Sequence, residues 1–98
     1  MTPAIERLFK NSWRLVQETT FQVSKANSWP LEPFNLAGMA QKDLSQAVLF
    51  LGSNKVAKAR EKTAGAVIKL MDLAESQGWC LADDVVAKLV KNRKEGKC

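Results

Sequence analysis

Proline and glycine punctuate this chain at a handful of points, and the stretches between them repeat their apolar residues at helical spacing. Thr2 followed by Pro3 reads as a helix cap with proline at the first helical position, where its missing N–H costs nothing. Ile5, Phe9, Ser12, Val16, Thr19 and Val23 then recur three or four residues apart, which predicts a first helix from about Pro3 to about Ala26. Pro30 and Pro33, in NSWPLEPFN, stop that helix and hold an extended connection, because proline biases the residue before it away from the helical region. A second helix is expected from Leu36 to Leu51, with Asn35 as candidate cap and Gly52 as the stop. The third begins near Ser53 or Asn54 and runs through KVAKAREKTAGAVIKLMDLAESQ until Gly78 ends it. The last spans about Ala82 to Arg93, with Asp83 and Asp84 in its first turn and Lys91 and Arg93 in its last, an arrangement that suits the helix dipole. Nothing alternates with period two over a strand's length, so the fold class is all-α, a four-helix bundle of antiparallel neighbours.

At 98 residues the chain is one domain's worth, a single unit over 1–98 with a basic tail from about residue 93. The net charge of +5 is concentrated in that tail. Lys88, Lys91, Arg93, Lys94 and Lys97, less Glu95, put +4 into the last eleven residues and leave +1 for the rest. Nucleic-acid binding through such a tail would be non-specific and strongly salt-dependent, and a solvated end is the simpler reading. With no histidine, chemistry here must run on carboxylates, lysine, cysteine or backbone groups. Two cysteines, Cys80 and Cys98, make neither a disulfide framework nor a four-ligand zinc site. Cys80 lies just before the fourth helix but has no base to activate it, and it reads as a small apolar residue beside Trp79. Trp13 reads as core or interface. No apolar run is long enough for a membrane span and MTPAIERLFK lacks the order of a signal peptide, so the expected setting is the cytoplasm, without membrane.

Two charges interrupt the apolar pattern. Leu36, Met39, Ala40, Leu44, Ala47 and Leu51 form one stripe of the second helix, and Asp43 falls in its middle. A buried carboxylate needs a cation, a metal or hydrogen bonds to offset its lost hydration. On the third helix Val56, Ala64, Val67, Met71 and Ala74 share a face with Arg60 at its centre, which suggests a buried Asp43–Arg60 pair; the alternative is that both lie at a stripe's edge and reach solvent. Val48, Leu49, Phe50 and Leu51 are consecutive, and one intramolecular contact cannot cover all four. A second chain is therefore expected to complete the bundle.

Three stretches carry a family resemblance: Ser28-Trp29-Pro30 leading to Asn35-Leu36-Ala37, the following helix with its central acid, and AVIKLMDLAESQGWCLADDVVAKLVKNRK. Over about residues 20–95 they resemble the MazG-like nucleotide pyrophosphohydrolases. Asp72, Leu73, Ala74, Gly78, Asp83, Asp84, Lys88 and Asn92 stand where that family has its usual run from an apolar helix, through a glycine, to an acid-rich helix start and a lysine four residues before an asparagine. The resemblance implies an all-α fold, dimers or tetramers of helical bundles, and hydrolysis of nucleoside triphosphates to monophosphate and pyrophosphate with magnesium held by acids on two facing helices. Those acids are largely missing. The positions of the family's first acidic motif read Lys42, Asp43 and Gln46, and those of its second read Lys62 and Gly65. One carboxylate beside a lysine is a poor magnesium site, so no catalytic residue, no metal ligand and no cofactor are expected.

What the resemblance leaves is the substrate-holding part. It assigns nucleotide contacts to Trp29, Asp43, Lys88 and Asn92: the indole stacks on a base while the lysine and asparagine approach phosphates. Trp29 also reads as a packing plug for the proline-rich loop. The expected function is a catalytically silent MazG-like domain that binds a nucleotide or a protein partner as a helical homo-oligomer. The alternatives are an active pyrophosphohydrolase using Mg2+ on acids such as Glu18, Glu61 and Asp72, and a nucleic-acid binder acting through the basic tail.

Overall fold

In the computed structural model, which describes residues 2–96, the regular structure is entirely helical. Helix α1 covers Pro3–Ala26, α2 Pro33–Gly52, α3 Val56–Ser76 and α4 Leu81–Lys94. Lys97 and Cys98, the end of the basic tail, lie outside the described residues.

Thr2 caps α1 as expected, its hydroxyl accepting from the Ile5 amide at 3.3 Å. The second helix starts three residues earlier than the Leu36 start expected for it. Its cap is Glu32, not Asn35: the carboxylate accepts from the Phe34 and Asn35 amides at 3.1 and 2.9 Å, and Pro33 takes the first helical position. At its other end Gly52 is still helical, because the reversal is made two residues later.

Three of the helix ends close in the same way. Trp29, Lys55 and Trp79 each donate their amide back to the carbonyl five residues before, on Ser24, Phe50 and Ala74, at 3.0, 2.8 and 2.8 Å. The residue before each donor is left-handed, with φ of 57° at Ser28, 60° at Asn54 and 72° at Gly78. This is the Schellman closure, which satisfies orphan carbonyls at a helix end and favours glycine or asparagine at the left-handed position. Asn54 therefore ends the second helix's turn, and α3 begins at Val56 rather than at Ser53 or Asn54. The same closure fixes where Trp29 and Trp79 leave their helices.

Helices α2 and α3 form an antiparallel hairpin, and α1 lies against α3 and α4. The buried apolar residues are mostly alanines, Ala40 and Ala47 on α2 with Ala59, Ala66 and Ala74 on α3, joined by Leu36 and Met71. Small side chains let the two backbones approach closely. Helix α1 is inverted relative to its apolar pattern. Its buried residues are Gln17 and Ser24, while Ile5, Leu8, Leu15, Val16 and Val23 are exposed. No described helix is long and apolar enough to cross a membrane.

Candidate functional site

Asp43 is on the inner face of α2, half-buried against α3. Its partner is Lys69, whose Nζ is 3.5 Å from Oδ2, and not Arg60. The reason is rotational. Lys69 lies nine residues beyond Arg60, which at 100° per residue is about half a turn around the helix, and α3 buries the side that carries Ala59, Ala66 and Lys69. Arg60 is exposed and lines a shallow depression with Leu51, Val56 and Thr63. Gly65 makes room for the carboxylate: a Cβ built there would stand 2.9 Å from Asp43 Oδ2.

Asp72 follows Lys69 by one turn. It is 2% exposed, and the buried Ser24 hydroxyl of α1 donates to its Oδ2 at 2.6 Å. Its other oxygen, Oδ1, is buried without a hydrogen-bond partner. Burial raises the carboxyl above its ordinary value, opposed by the Ser24 hydrogen bond and by the positive charge of Lys69. Lys69 and Asp72 together line a cleft of about 350 Å³ whose walls are Trp29, Pro30, Leu36, Met39 and Ile68. A neighbouring depression of about 330 Å³ shares Pro30 and Met39 and adds Phe34 and Lys42. Apolar walls with a few convergent polar groups are the ordinary build of a small-molecule site.

Trp29 is 49% exposed, so it is no plug; it stands between this cleft and a smaller one reaching Thr20 and Ser24. Asp43 meets the cleft only through Lys69. Lys88 and Asn92 do not line it. They belong to α4, which packs on α1; Lys88 is exposed, and Asn92 is half-buried with an unpartnered Oδ1. Trp13 is half-buried on α1, stacked parallel to Phe9 at 6.3 Å between ring centroids. Cys80 is half-buried, its sulfur 3.8 Å from Nη2 of Arg14. The expected residues missed Lys69 and Ser24, although the three-residue step from Lys69 to Asp72 already put a cation and an acid on neighbouring turns of one helix.

Comparison of the chain with family models, with curated proteins and with solved structures finds no match. The chemistry must therefore be read from the residues themselves. Among the described residues, no three acids, cysteines or histidines gather into a group that could hold a metal. Glu18 and Glu61, both exposed, do not join Asp72 in one. Magnesium requires several hard oxygens in near-octahedral order. Here one carboxylate is engaged by an ammonium and the other is buried, so the residues present do not fit the ion. They do line one cleft, where Lys69 and Asp72 stand among apolar walls.

Proposed function

We propose that this chain is a MazG-like domain that binds a nucleotide without hydrolysing it and does so as a helical homo-oligomer. The carrying observation is the Asp43–Lys69 pair at 3.5 Å, set against the bare backbone of Gly65. At the positions where the resembled family gathers acids, this chain has a carboxylate already neutralised by its own lysine, with Lys42 a residue away. An ammonium compensates that charge without the dehydration a small divalent ion must undergo. The same cations suit phosphate oxygens, as point charges. Base stacking on Trp29 and charge contacts from Lys42 and Lys69 make a metal-independent nucleotide site along the two adjoining clefts. The outward apolar stripe of α1, and Val48, Leu49 and Leu51 on α2, supply surface for a second copy.

The test uses the purified full chain with a panel of nucleoside triphosphates. No pyrophosphate release is expected with Mg2+, and a titration in EDTA is expected to show nucleotide binding that added Mg2+ does not tighten. Magnesium-dependent turnover that Asp43→Ala abolishes would overturn the proposal.

A further inference from the structure

The two adjoining clefts carry two cations, and their charges are not equally free. Lys69 lines one cleft with Trp29, Lys42 lines the other with Phe34, and Pro30 and Met39 are common to both. Lys69 is answered by Asp43 at 3.5 Å and stands one turn from Asp72. Asp43 is seated so as to stay there: a Cβ at Gly65 would come within 2.9 Å of its Oδ2, and its side chain is only 16% exposed. Drawing Lys69 away to a phosphate would leave that carboxylate bare beside a second anion, and breaking a buried pair in this way is strongly destabilising. Lys42 is exposed and, among the described residues, makes no ion pair. We propose that this site answers one phosphate group and no more: Lys42 holds it, while Asp43 withholds Lys69 from a second. The inference rests on the nucleotide-binding reading above and names what that site recognises, a base and its first phosphate.

With the ring against Trp29, the sugar crosses Pro30 and Met39 and the first phosphate comes to Lys42. The clefts, at about 350 and 330 Å³, have the size of small-ligand sites. A terminal phosphate carries about two negative charges, which one ammonium offsets in part. Each further phosphate adds charge for which neither cleft has an uncommitted cation, so it stays hydrated at the open mouth and adds nothing to affinity. Lys69 still has hydrogen bonds to offer a ribose hydroxyl, but no free charge. Asp43 is thus a positioning residue that sets the phosphate count through Lys69, without touching the ligand. A site that answered charge alone would behave oppositely and bind each longer chain more tightly.

The experiment titrates the full chain with adenosine and its mono-, di- and triphosphates in EDTA, at about 0.15 M salt, where long-range attraction to the basic protein is screened. Binding heat and the Trp29 indole resonance are followed. The base is constant across the series, so only the phosphates differ. Wild type should bind the monophosphate about fivefold tighter than adenosine, the upper size of an exposed charge contact, and the di- and triphosphate within about twofold of the monophosphate. Lys42→Gln should bring all four to the affinity of adenosine. Asp43→Asn keeps the shape of the side chain and frees Lys69. It should tighten the di- and triphosphate about tenfold, the size of one charge-assisted hydrogen bond, while the monophosphate already held by Lys42 gains less. Gly65→Ala, whose Cβ displaces the same carboxylate, should act in the same direction and serves where Asp43→Asn fails to fold. Equal affinity for adenosine and its monophosphate, or wild-type affinity that climbs with each phosphate, overturns the inference while base binding stands. So does a Lys42→Gln protein that still prefers the monophosphate over adenosine, or an Asp43→Asn protein as indifferent to chain length as wild type. If none of the four binds, both readings fall.

Discussion

Asp72 is held between opposing effects. Burial disfavours its charged form, whereas the Ser24 hydroxyl and the nearby Lys69 favour it, and burial is the largest of these. The folded chain consequently keeps the Asp72 proton to higher pH than the unfolded chain, whose carboxyl titrates at the ordinary 3.8. Since the folded state binds the extra proton above that value, this residue's contribution to stability is greatest below it and declines as pH rises through the raised folded value. Asp72→Asn removes the titration and retains an oxygen for Ser24. Urea denaturation should therefore find the variant stabilised relative to wild type at about pH 7.5, with the difference shrinking towards about pH 4. A constant difference across that range would show that ionisation of Asp72 is not what burial opposes.

At this scale the sequence was informative about anomalies and silent about partners. Asp43 was conspicuous because a carboxylate in an apolar stripe needs compensation wherever the stripe goes. Choosing Lys69 over Arg60 needed the rotation of α3. Of the stripe that contains Arg60, Met71 and Ala74 are buried, but Val56 and Val67, larger than the alanines that pack at Ala59 and Ala66, are exposed. Periodicity weighs apolar size, whereas close helix packing here selects smallness.

Among elements, the junction of α1 with the α3–α4 turn depends on Gln17. Its Nε2 donates to Glu75 Oε1 and to the Trp79 carbonyl, both at 2.9 Å, and its Oε1 accepts from the Leu81 amide at 3.2 Å. The last contact matters because Cys80 provides no side-chain cap for α4, so a residue of another helix satisfies one of its orphan amides. A polar residue 2% exposed and fully engaged fixes the packing angle more sharply than an apolar one would. Gln17→Leu keeps the volume but strands the Leu81 amide and the Trp79 carbonyl. Chemical denaturation should show a loss of about 1 to 3 kcal/mol, the cost of buried polar groups left unpaired. A loss below about 0.5 kcal/mol would mean that water replaces the side chain at no cost. Helix number and order were legible from proline, glycine and spacing, and α1 begins and ends where the pattern put it. Gly78 ends α3 as expected, whereas the start of α2 and the α2–α3 turn moved because Glu32 competes with Asn35 for the cap and because asparagine at position 54, not glycine, takes the left-handed turn. Gln17 was illegible: one glutamine among many exposed polar residues carries no local mark of burial.

For the molecule as a whole, the balance of surface and core argues for a second copy. A compact chain of this length has a radius of gyration of about 12.6 Å by the usual scaling. This one measures 15.1 Å, with extents of 38 × 34 × 22 Å. Its buried apolar residues are chiefly alanines, which contribute little transfer free energy, while large apolar side chains remain outside. On α2, Val48 and Leu49 are 68% and 70% exposed; Phe50 is half-buried, with the Lys58 ammonium 5.6 Å from its ring centroid. On α1 the exposed Ile5, Leu8, Leu15, Val16 and Val23 fall within about 100° of arc, the width of a helix-packing stripe. Two such stripes on one small chain exceed the scattered apolar exposure that monomers tolerate, and a symmetric partner covers the same surface on both copies at once. Light scattering on wild type at micromolar concentration should give a mass of at least two chains. Leu15→Glu, exposed in the single chain and so harmless to its internal packing, should reduce that mass, because a carboxylate at an apolar interface must be desolvated without a partner. The variant should also unfold at lower denaturant than wild type, since the oligomer's contribution to stability disappears with it. A wild-type monomer at that concentration, or a Leu15→Glu protein of unchanged mass and unchanged denaturation midpoint, would show that the α1 stripe faces water and not another copy.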